Sequence, residues 1–262
     1  MSFTTANGIR IAYDDVGEEE PALLFLPGWC VNRSVFRDLI SRTSQRRRSL
    51  ALDWPGHGGS DASARDFGAK ELFQAAKAVI EASGAAAVVP VALAHSGWVA
   101  LELRRRLGRR IPKLVLLDWI VTEPPPPFLD TLRGMQSAEH WKQTVNETLA
   151  MWLHGVENPA LKQFVQDEIA PYGKPMWARA AREISAAYQK EGSPMQALSH
   201  LLPAIPVLHL YAQPSDAAYL NAQQAFAASH PWFRVRRVKA SSHFPMFEVP
   251  DEMAGAIEQF AG

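Results

Sequence analysis

The feature that most constrains the fold is a sharp junction between an apolar run and a helix-like stretch. Residues 86–93 are all apolar and predict a buried strand. Residues 95–107 have helical character and are followed by a glycine, which is typical of a helix end. Only Ala94 separates the two segments, so the chain has to turn sharply there. The junction predicts a strand–turn–helix unit at the core of an α/β protein.

The turn is predicted to centre on Ala94 and not on the nearby Ser96. A tight turn of this kind needs small residues two positions before and after its centre, because those positions pack against each other. Around Ala94 they are Ala92 and Ser96, whereas around Ser96 one of them would be the indole of Trp98. In α/β-hydrolases the same turn, the nucleophile elbow, carries a serine at its centre. This chain is therefore expected to keep the elbow and to lack its nucleophile.

Strand-like and helix-like segments alternate on both sides of the elbow. This alternation predicts a mostly parallel, doubly wound sheet, and together with the elbow it resembles the α/β-hydrolase fold. The predicted strands cover residues 9–16, 22–26, 49–53, 86–93, 113–117, 206–211 and 233–238. The predicted helices cover residues 35–44, 70–82, 95–107 and 251–260.

The alternation breaks at residue 124. Residues 124–127 are predicted to form a stiff polyproline segment, and no convincing strand signal follows it until the core resumes. The stretch between them has helical character and is rich in tryptophan, methionine and other large side chains. We expect residues 124–202 to form a helical cap inserted over an α/β-hydrolase core made of residues 1–123 and 203–262.

Composition narrows the classes of function. Charged side chains balance to a formal net charge of +0, which gives no reason to expect a nucleic acid or an acidic membrane as a partner. Cys30 is the only cysteine, so no intrachain disulfide can form. Neither a signal-peptide core nor an apolar run of membrane-spanning length occurs, and a cytoplasmic location is expected. Metal-ligand spacings and a dinucleotide-binding glycine motif are missing, so neither a metal nor a bound cofactor is expected.

A histidine and one of two aspartates could form a general base and its partner. His243 follows the last predicted strand, and ligands of open α/β sheets bind beyond the carboxyl ends of the strands. An unperturbed histidine titrates near neutral pH and suits this work. Asp118, one strand after the elbow, or Asp216, one strand later, could orient it. Asp118 is the preferred prediction, because Asp216 follows Pro214 and has the character of a turn residue.

Backbone amides at two places could stabilise a developing negative charge. In this fold one such amide comes from the loop after the first buried strand, and the other from the residue after the elbow centre. These positions hold Trp29 and His95. Ala94 and Ser96 would lie beside them and contact the substrate. His57, in a glycine-rich loop, is expected to have a structural role.

Short motifs along nearly the whole chain, including the cap, point to one family. They are Pro27-Gly28-Trp29-Cys30, Gly97-Trp98-Val99, Asp118-Trp119, Met151-Trp152-Leu153-His154-Gly155, Gly192-Ser193-Pro194-Met195-Gln196, Gln213-Pro214, His230-Pro231-Trp232-Phe233, His243-Phe244-Pro245 and Val249-Pro250-Asp251. With these motifs the chain resembles the cofactor-independent 2,4-dioxygenases of the α/β-hydrolase fold, which cleave 3-hydroxy-4(1H)-quinolones. Generic hydrolases do not share the cap motifs.

The resemblance implies roles for four residues and a reaction. His243 would be the base, Asp118 its partner, Trp29 an oxyanion-hole amide and Trp152 an aromatic wall of the pocket. The substrates would be a small aromatic 3-hydroxy-4(1H)-quinolone and O2, and the products carbon monoxide and an N-acylanthranilate. No cofactor would be needed, because the substrate anion itself can give an electron to O2.

Two positions depart from the quinaldine-type members of that family. Those members have a serine at the elbow, where this chain has Ala94, and a histidine after the Trp-Cys pair, where it has Val31. The elbow serine in that type binds or deprotonates the substrate and is not a covalent nucleophile, so its loss is compatible with the reaction. The change points to a larger or altered substituent at C2, such as a long alkyl chain.

The sequence leaves two other functions open. An esterase or another hydrolase could use Ser96 or an activated water, which requires the elbow to be centred on Ser96. A non-catalytic ligand-binding protein could be built on the same scaffold, although it would not need His243 and Asp118 together. The sequence carries no signal for the oligomeric state.

Overall fold

The computed structural model describes residues 1–262 and contains one eight-stranded sheet. The first two strands form an antiparallel edge, and the other six run parallel to one another, in the order β1-β2-β4-β3-β5-β6-β7-β8. The predicted α/β architecture with a mostly parallel sheet is confirmed. The strands are β1 (Ser2–Ala6), β2 (Ile9–Val16), β3 (Ala22–Leu26), β4 (Ser49–Leu52), β5 (Val88–Leu93), β6 (Leu114–Leu117), β7 (Val207–Tyr211) and β8 (Phe233–Arg237).

Helices cover both faces of the sheet. The central strands β3, β5 and β6 are buried along their whole length, which is why they are almost continuous runs of valine, leucine and alanine. Successive side chains of these strands enter two different hydrophobic clusters, one on each face. The helices are α1 (Arg37–Thr43), α2 (Ala69–Ser83), α3 (Gly97–Leu107), α4 (Pro126–Gln136), α5 (Trp141–Trp152), α6 (Pro159–Phe164), α7 (Lys174–Glu191), α8 (Pro194–Ser199), α9 (Ala217–Ser229) and α10 (Pro250–Ala261).

The chain forms only helices between β6 and β7. These are α4 to α8, and side chains from α4, α5 and α7 meet the carboxyl ends of β5 and β6 around a cavity. None of the helices of the protein combines the length and the hydrophobicity that a membrane span requires.

The structure differs from the sequence-based prediction at three main places: the proline segment, β1, and α9 (Ala217–Ser229), which was not predicted. The predicted polyproline segment is wrong for Pro126 and Pro127, which form the first turn of α4; the fixed φ of proline suits the start of a helix. Pro125, which precedes the helix, has an extended conformation with φ −67° and ψ 150°. β1 was not predicted, because its serine, threonine and alanine residues lack a clear strand pattern and it is stabilised by pairing with β2.

Candidate active site

The elbow is centred on Ala94, as its small flanking residues require. Ala94 has a φ of 50°, in the left-handed region that a residue with a Cβ adopts only under strain. It follows the last residue of β5 and begins a short 3-10 turn that leads into α3. Ala94 lines a cavity, and backbone strain at such a place is typical of a functional turn. The side chain at this place is a methyl group, so it cannot act as a nucleophile.

Ser96 does not line the cavity, although the sequence placed it beside the oxyanion-hole amides. Its side chain is buried, and its hydroxyl oxygen lies 2.8 Å from the carbonyl oxygens of both Leu26 and Leu93. The hydroxyl therefore ties the elbow to the end of β3. Ser96 is also absent from the residues that line the cavity, whereas Ala94 and His95 line it.

Asp118 and His243 lie together at the carboxyl end of the sheet. Nδ1 of His243 is 2.7 Å from Oδ2 of Asp118. The other oxygen of Asp118 accepts hydrogen bonds from the amides of Ala212 and Gln213, at 2.6 and 3.0 Å. A carboxylate can only accept, so Nδ1 of His243 donates and the lone pair of the neutral ring is on Nε2. This arrangement can act as a general base with an oriented ring.

The loop that carries His243 is held from both sides. The amides of Ser241 and Ser242 donate to the carboxylate of Glu248, at 3.0 and 2.8 Å. The ring of Trp152, from α5, stacks on the imidazole with a centroid distance of 4.9 Å and an interplanar angle of 25°. The position of the imidazole is thus set by a hydrogen bond to Asp118 and by an aromatic face.

The alternative acid, Asp216, has a different environment. It is exposed and caps the start of α9, where its Oδ1 accepts from the amide of Tyr219 at 2.8 Å. Asp216 does not line the cavity, and the hydrogen bond and ion pair of His243 go to Asp118 instead. A helix cap is a sufficient reason for an aspartate at this position.

Trp29 and His95 line the cavity on either side of the elbow. The amide of Trp29 has no hydrogen-bond acceptor within the protein. His57 supports the loop behind it: its Nε2 accepts from the amide of Cys30 at 3.1 Å, so its Nδ1 donates to Pro55 O at 3.0 Å. Burial lowers the pKa of His57 to about 4, which keeps this ring neutral. His57 therefore has the structural role expected of it.

The cavity has a volume of about 370 Å³ and is mostly apolar. Its floor is formed by the elbow and by the ends of the neighbouring strands, and the cap helices form its walls. The wall residues are Phe128, Thr131, Leu132 and Met135 of α4, Thr148, Met151 and Trp152 of α5, and Trp177, Ala180 and Ile184 of α7. A second concavity, of about 390 Å³ and more polar, lies between α1 and α6 and shares none of these residues.

The sequence identified the cap as aromatic-rich but did not select the residues that face the cavity. Trp152 was selected, and it lines the cavity beside His243. The sequence did not predict that Phe128, Leu132 and Met135 together face the cavity, although their spacing along α4 places them on one face of the helix. The same spacing relates the lining residues of α7. Helical spacing is thus the signal that could have identified these walls.

No group of three or more histidine, cysteine, aspartate or glutamate side chains is arranged to hold a metal ion. The polar groups that face the cavity are the His243–Asp118 pair, the loop and elbow amides, the ring of His95 and a few hydroxyl and amide side chains. Chemically, this set can remove a proton from a bound molecule and donate hydrogen bonds to an oxygen of that molecule.

Comparison with known proteins agrees with this architecture. A family model described as the alpha/beta hydrolase family matches residues 23–256. The 2-heptyl-3-hydroxy-4(1H)-quinolone dioxygenase of Mycobacteroides abscessus is 36% identical over 261 residues, which cover 98% of this chain and 97% of that protein. The 1H-3-hydroxy-4-oxoquinoline 2,4-dioxygenase of Pseudomonas putida is 30% identical and covers 99% of each chain.

The fold comparison agrees with the sequence comparison. A solved structure described as the basis for recognition and ring cleavage of the Pseudomonas quinolone signal superposes with a TM-score of 0.94. It is 34% identical, and the match covers 100% of this chain and 99% of that one. The chain therefore belongs to the α/β-hydrolase family and, within it, to the 3-hydroxy-4-quinolone dioxygenases.

Proposed function

We propose that the protein is a cofactor-independent dioxygenase that cleaves the heterocycle of 2-alkyl-3-hydroxy-4(1H)-quinolones. O2 is the second substrate, and carbon monoxide and an N-acylanthranilate are the products. The observation that carries the proposal is the His243–Asp118 pair, which opens onto an apolar cavity whose elbow holds Ala94 where a hydrolase needs a nucleophile. Relatives named as dioxygenases of this substrate class support it.

The first step is the removal of a proton. Nε2 of His243 takes the proton of the 3-hydroxyl group, and the substrate becomes an electron-rich anion. Asp118 keeps the ring in the required tautomer and stabilises the imidazolium that forms. The amides of Trp29 and His95 donate hydrogen bonds to an oxygen that carries negative charge.

The later steps use the reactivity of the anion. It gives one electron to O2, which avoids the spin barrier to a direct reaction, and the two radicals join at C2. The peroxide then attacks C4 and forms a bicyclic endoperoxide. The O–O bond and both bonds to C3 break, C3 leaves as carbon monoxide, and one oxygen atom of O2 remains on each of C2 and C4. C2 becomes the acyl carbonyl and C4 the carboxylate of the N-acylanthranilate.

The walls of the cavity favour an alkyl substituent at C2. The hydroxyls of Thr131 and Thr148 already donate to the carbonyls of Pro127 and Thr144, at 3.0 and 2.8 Å. Neither hydroxyl therefore needs a polar partner on the substrate. The methyl group of Ala94 leaves more room than a serine side chain would. A long alkyl chain directed between α4, α5 and α7 fits these surroundings.

The test is anaerobic mixing with the 2-methyl and 2-heptyl forms of 3-hydroxy-4(1H)-quinolone, followed by addition of O2. O2 uptake, carbon monoxide and N-acylanthranilate should be equal in amount, and chelator-treated protein should keep its activity. The heptyl substrate should have the higher kcat/KM, because each buried methylene is worth about 0.8 kcal/mol. Binding without O2 uptake would indicate a non-catalytic receptor, and release of p-nitrophenol from short esters would indicate a hydrolase.

A further inference from the structure

One of the two imidazole nitrogens of His95 forms a hydrogen bond within the protein. The indole N–H of Trp119, the residue after Asp118, donates to Nδ1 of His95 at 3.2 Å. An indole nitrogen can donate but cannot accept, so Nδ1 of His95 must be the acceptor. The proton of the neutral imidazole is then on Nε2.

The ring of His95 stays uncharged. Burial, reinforced by the nearby His243, lowers the pKa of His95 to about 3. Nε2 makes no hydrogen bond to the protein, and it is not among the buried polar atoms that lack a partner. Because His95 lines the cavity, this N–H is available to a molecule bound there. An uncharged donor has the further property that it does not repel an imidazolium formed on His243.

Aromatic neighbours hold the ring of His95 in place. Phe128 stacks on it with a centroid distance of 5.4 Å, and the edge of Tyr188 packs against it at 5.8 Å. The hydroxyl of Tyr188 donates its proton to Ile120 O at 2.7 Å, and its oxygen, which is close to the indole of Trp119, can share the indole N–H with Nδ1 of His95. The direction of the free N–H is therefore set before a ligand enters.

The indole of Trp119 is held equally firmly. It is fully buried and packs directly on Gly97, where an added Cβ would lie 2.3 Å from the ring. Trp98 packs edge-on against it at 4.9 Å. An indole in such a close-packed site cannot turn away from its acceptor without displacing its neighbours.

We infer that Trp119 is a positioning residue that fixes His95 as the Nε2–H tautomer, and that this N–H donates to the charged oxygen of the bound quinolone or of its peroxide. His95 thus contributes a side-chain donor in addition to its backbone amide, at a site where Ala94 provides no hydroxyl. The identity of the acceptor rests on the proposed function, whereas the tautomer does not.

The tautomer can be read directly by ¹⁵N NMR of the imidazole nitrogens in the free protein. The resonances of His95 are identified by their loss in His95→Gln. We expect an unprotonated Nδ1 and a protonated Nε2 in the wild type, and a mixture of tautomers in Trp119→Phe. Trp232→Phe is the matched control, because Trp232 packs against Phe226 and His230 and does not line the cavity. A protonated Nδ1 in the wild type, or an unchanged tautomer in Trp119→Phe, would overturn the role of Trp119.

The role of the donor can be separated from that of the backbone amide by two substitutions of His95. His95→Phe keeps the amide and removes the ring N–H, and we expect kcat to fall about 100-fold, as for other lost oxyanion donors. His95→Gln places a side-chain N–H near the position of Nε2 and should retain at least about a tenth of the wild-type kcat. Trp119→Phe should lower kcat by about two- to tenfold, the usual worth of one hydrogen bond, and Trp232→Phe by less than about twofold.

These outcomes distinguish the present inference from the proposed function. Wild-type turnover in His95→Phe, or equal losses in His95→Phe and His95→Gln, would refute the donor while leaving the dioxygenase assignment in place. If the wild-type protein consumes no O2 with either quinolone, the proposed function is wrong. A quinolone oxygen is then also the wrong acceptor for the N–H of His95. The NMR spectrum of the wild-type protein would still decide the tautomer of His95. That measurement requires no substrate, and it does not depend on whether the Trp119→Phe variant folds.

Discussion

Replacing Asp118 with asparagine should disable the base by reversing a tautomer. The structure determines how the new side chain must sit. The amides of Ala212 and Gln213 both donate to Oδ1 of Asp118, so the amide oxygen of the asparagine has to occupy that position. Its NH2 group then faces Nδ1 of His243, which has to become an acceptor. The ring proton moves to Nε2, the nitrogen that would otherwise take the proton of the substrate.

The size of the effect follows from this geometry. The same reversal in Ser-His-Asp triads lowers kcat by about 10⁴. In the present site the proton comes from an enolic hydroxyl, which is more acidic than a serine, so we expect a loss of about 10³ in kcat. This corresponds to about 4 kcal/mol of transition-state stabilisation. The loss should shrink as the pH rises, because the substrate then ionises in solution and binds as the anion.

Initial rates of O2 uptake with the 2-heptyl substrate, measured across a pH series, test this prediction. Asp216→Asn is the matched control: asparagine caps a helix as well as aspartate does, so α9 should persist and kcat should stay within about twofold of the wild type. Circular dichroism checks that both variants are folded. The reasoning is refuted if Asp118→Asn keeps more than a tenth of the wild-type kcat at neutral pH, or if Asp216→Asn loses as much.

Further predictions concern the base, the elbow, the cavity wall and the buried histidines. His243→Ala should lower turnover by about 10²–10⁴, and an unchanged rate at neutral pH would exclude it as the base. Ser96→Ala should keep most of its dioxygenase activity but lose about 1 kcal/mol of stability. Intact mass spectrometry should find no organophosphonate adduct on the wild type, since an adduct on Ser96 would favour a hydrolase. Ala180→Phe should reduce kcat/KM for the 2-heptyl substrate more than for the 2-methyl one, because it fills the wall between the cap helices; equal losses would mean that the chain lies elsewhere. Burial lowers the pKa values of His57 and His209 to about 4. The two neutral rings therefore stabilise the folded protein fully above about pH 6.5, the ordinary pKa of histidine in an unfolded chain. This stabilisation is lost as the pH falls from there towards 4. The free energy of urea unfolding should therefore fall by about 2 kcal/mol per histidine between pH 7 and pH 5, and His57→Gln should show a correspondingly smaller fall.

Local sequence pattern was sufficient for strands β2 to β8 and for helices α1, α2, α3 and α10. The strand predicted over residues 22–26 is β3, with the same bounds. A short apolar run that is ended by Pro27-Gly28 is typical of a buried strand and of little else. The elbow at Ala94 also followed from local packing, since only small residues fit on either side of so tight a turn. β1 was not predicted, because its stability comes from its partner strand and not from its own residues.

The sequence by itself therefore determined the alternation of strands and helices, the place of the elbow and the absence of a nucleophile at its centre, all of which depend on neighbouring residues. Only the tertiary structure decided which groups meet. Asp118 and His243 are 125 positions apart, and their contact depends on the order of the strands in the sheet. The inward direction of the Ser96 hydroxyl and the bond from Trp119 to His95 depend on that order too. Hydrogen bonds between distant segments form where packing brings donor and acceptor together, and no local propensity encodes that meeting.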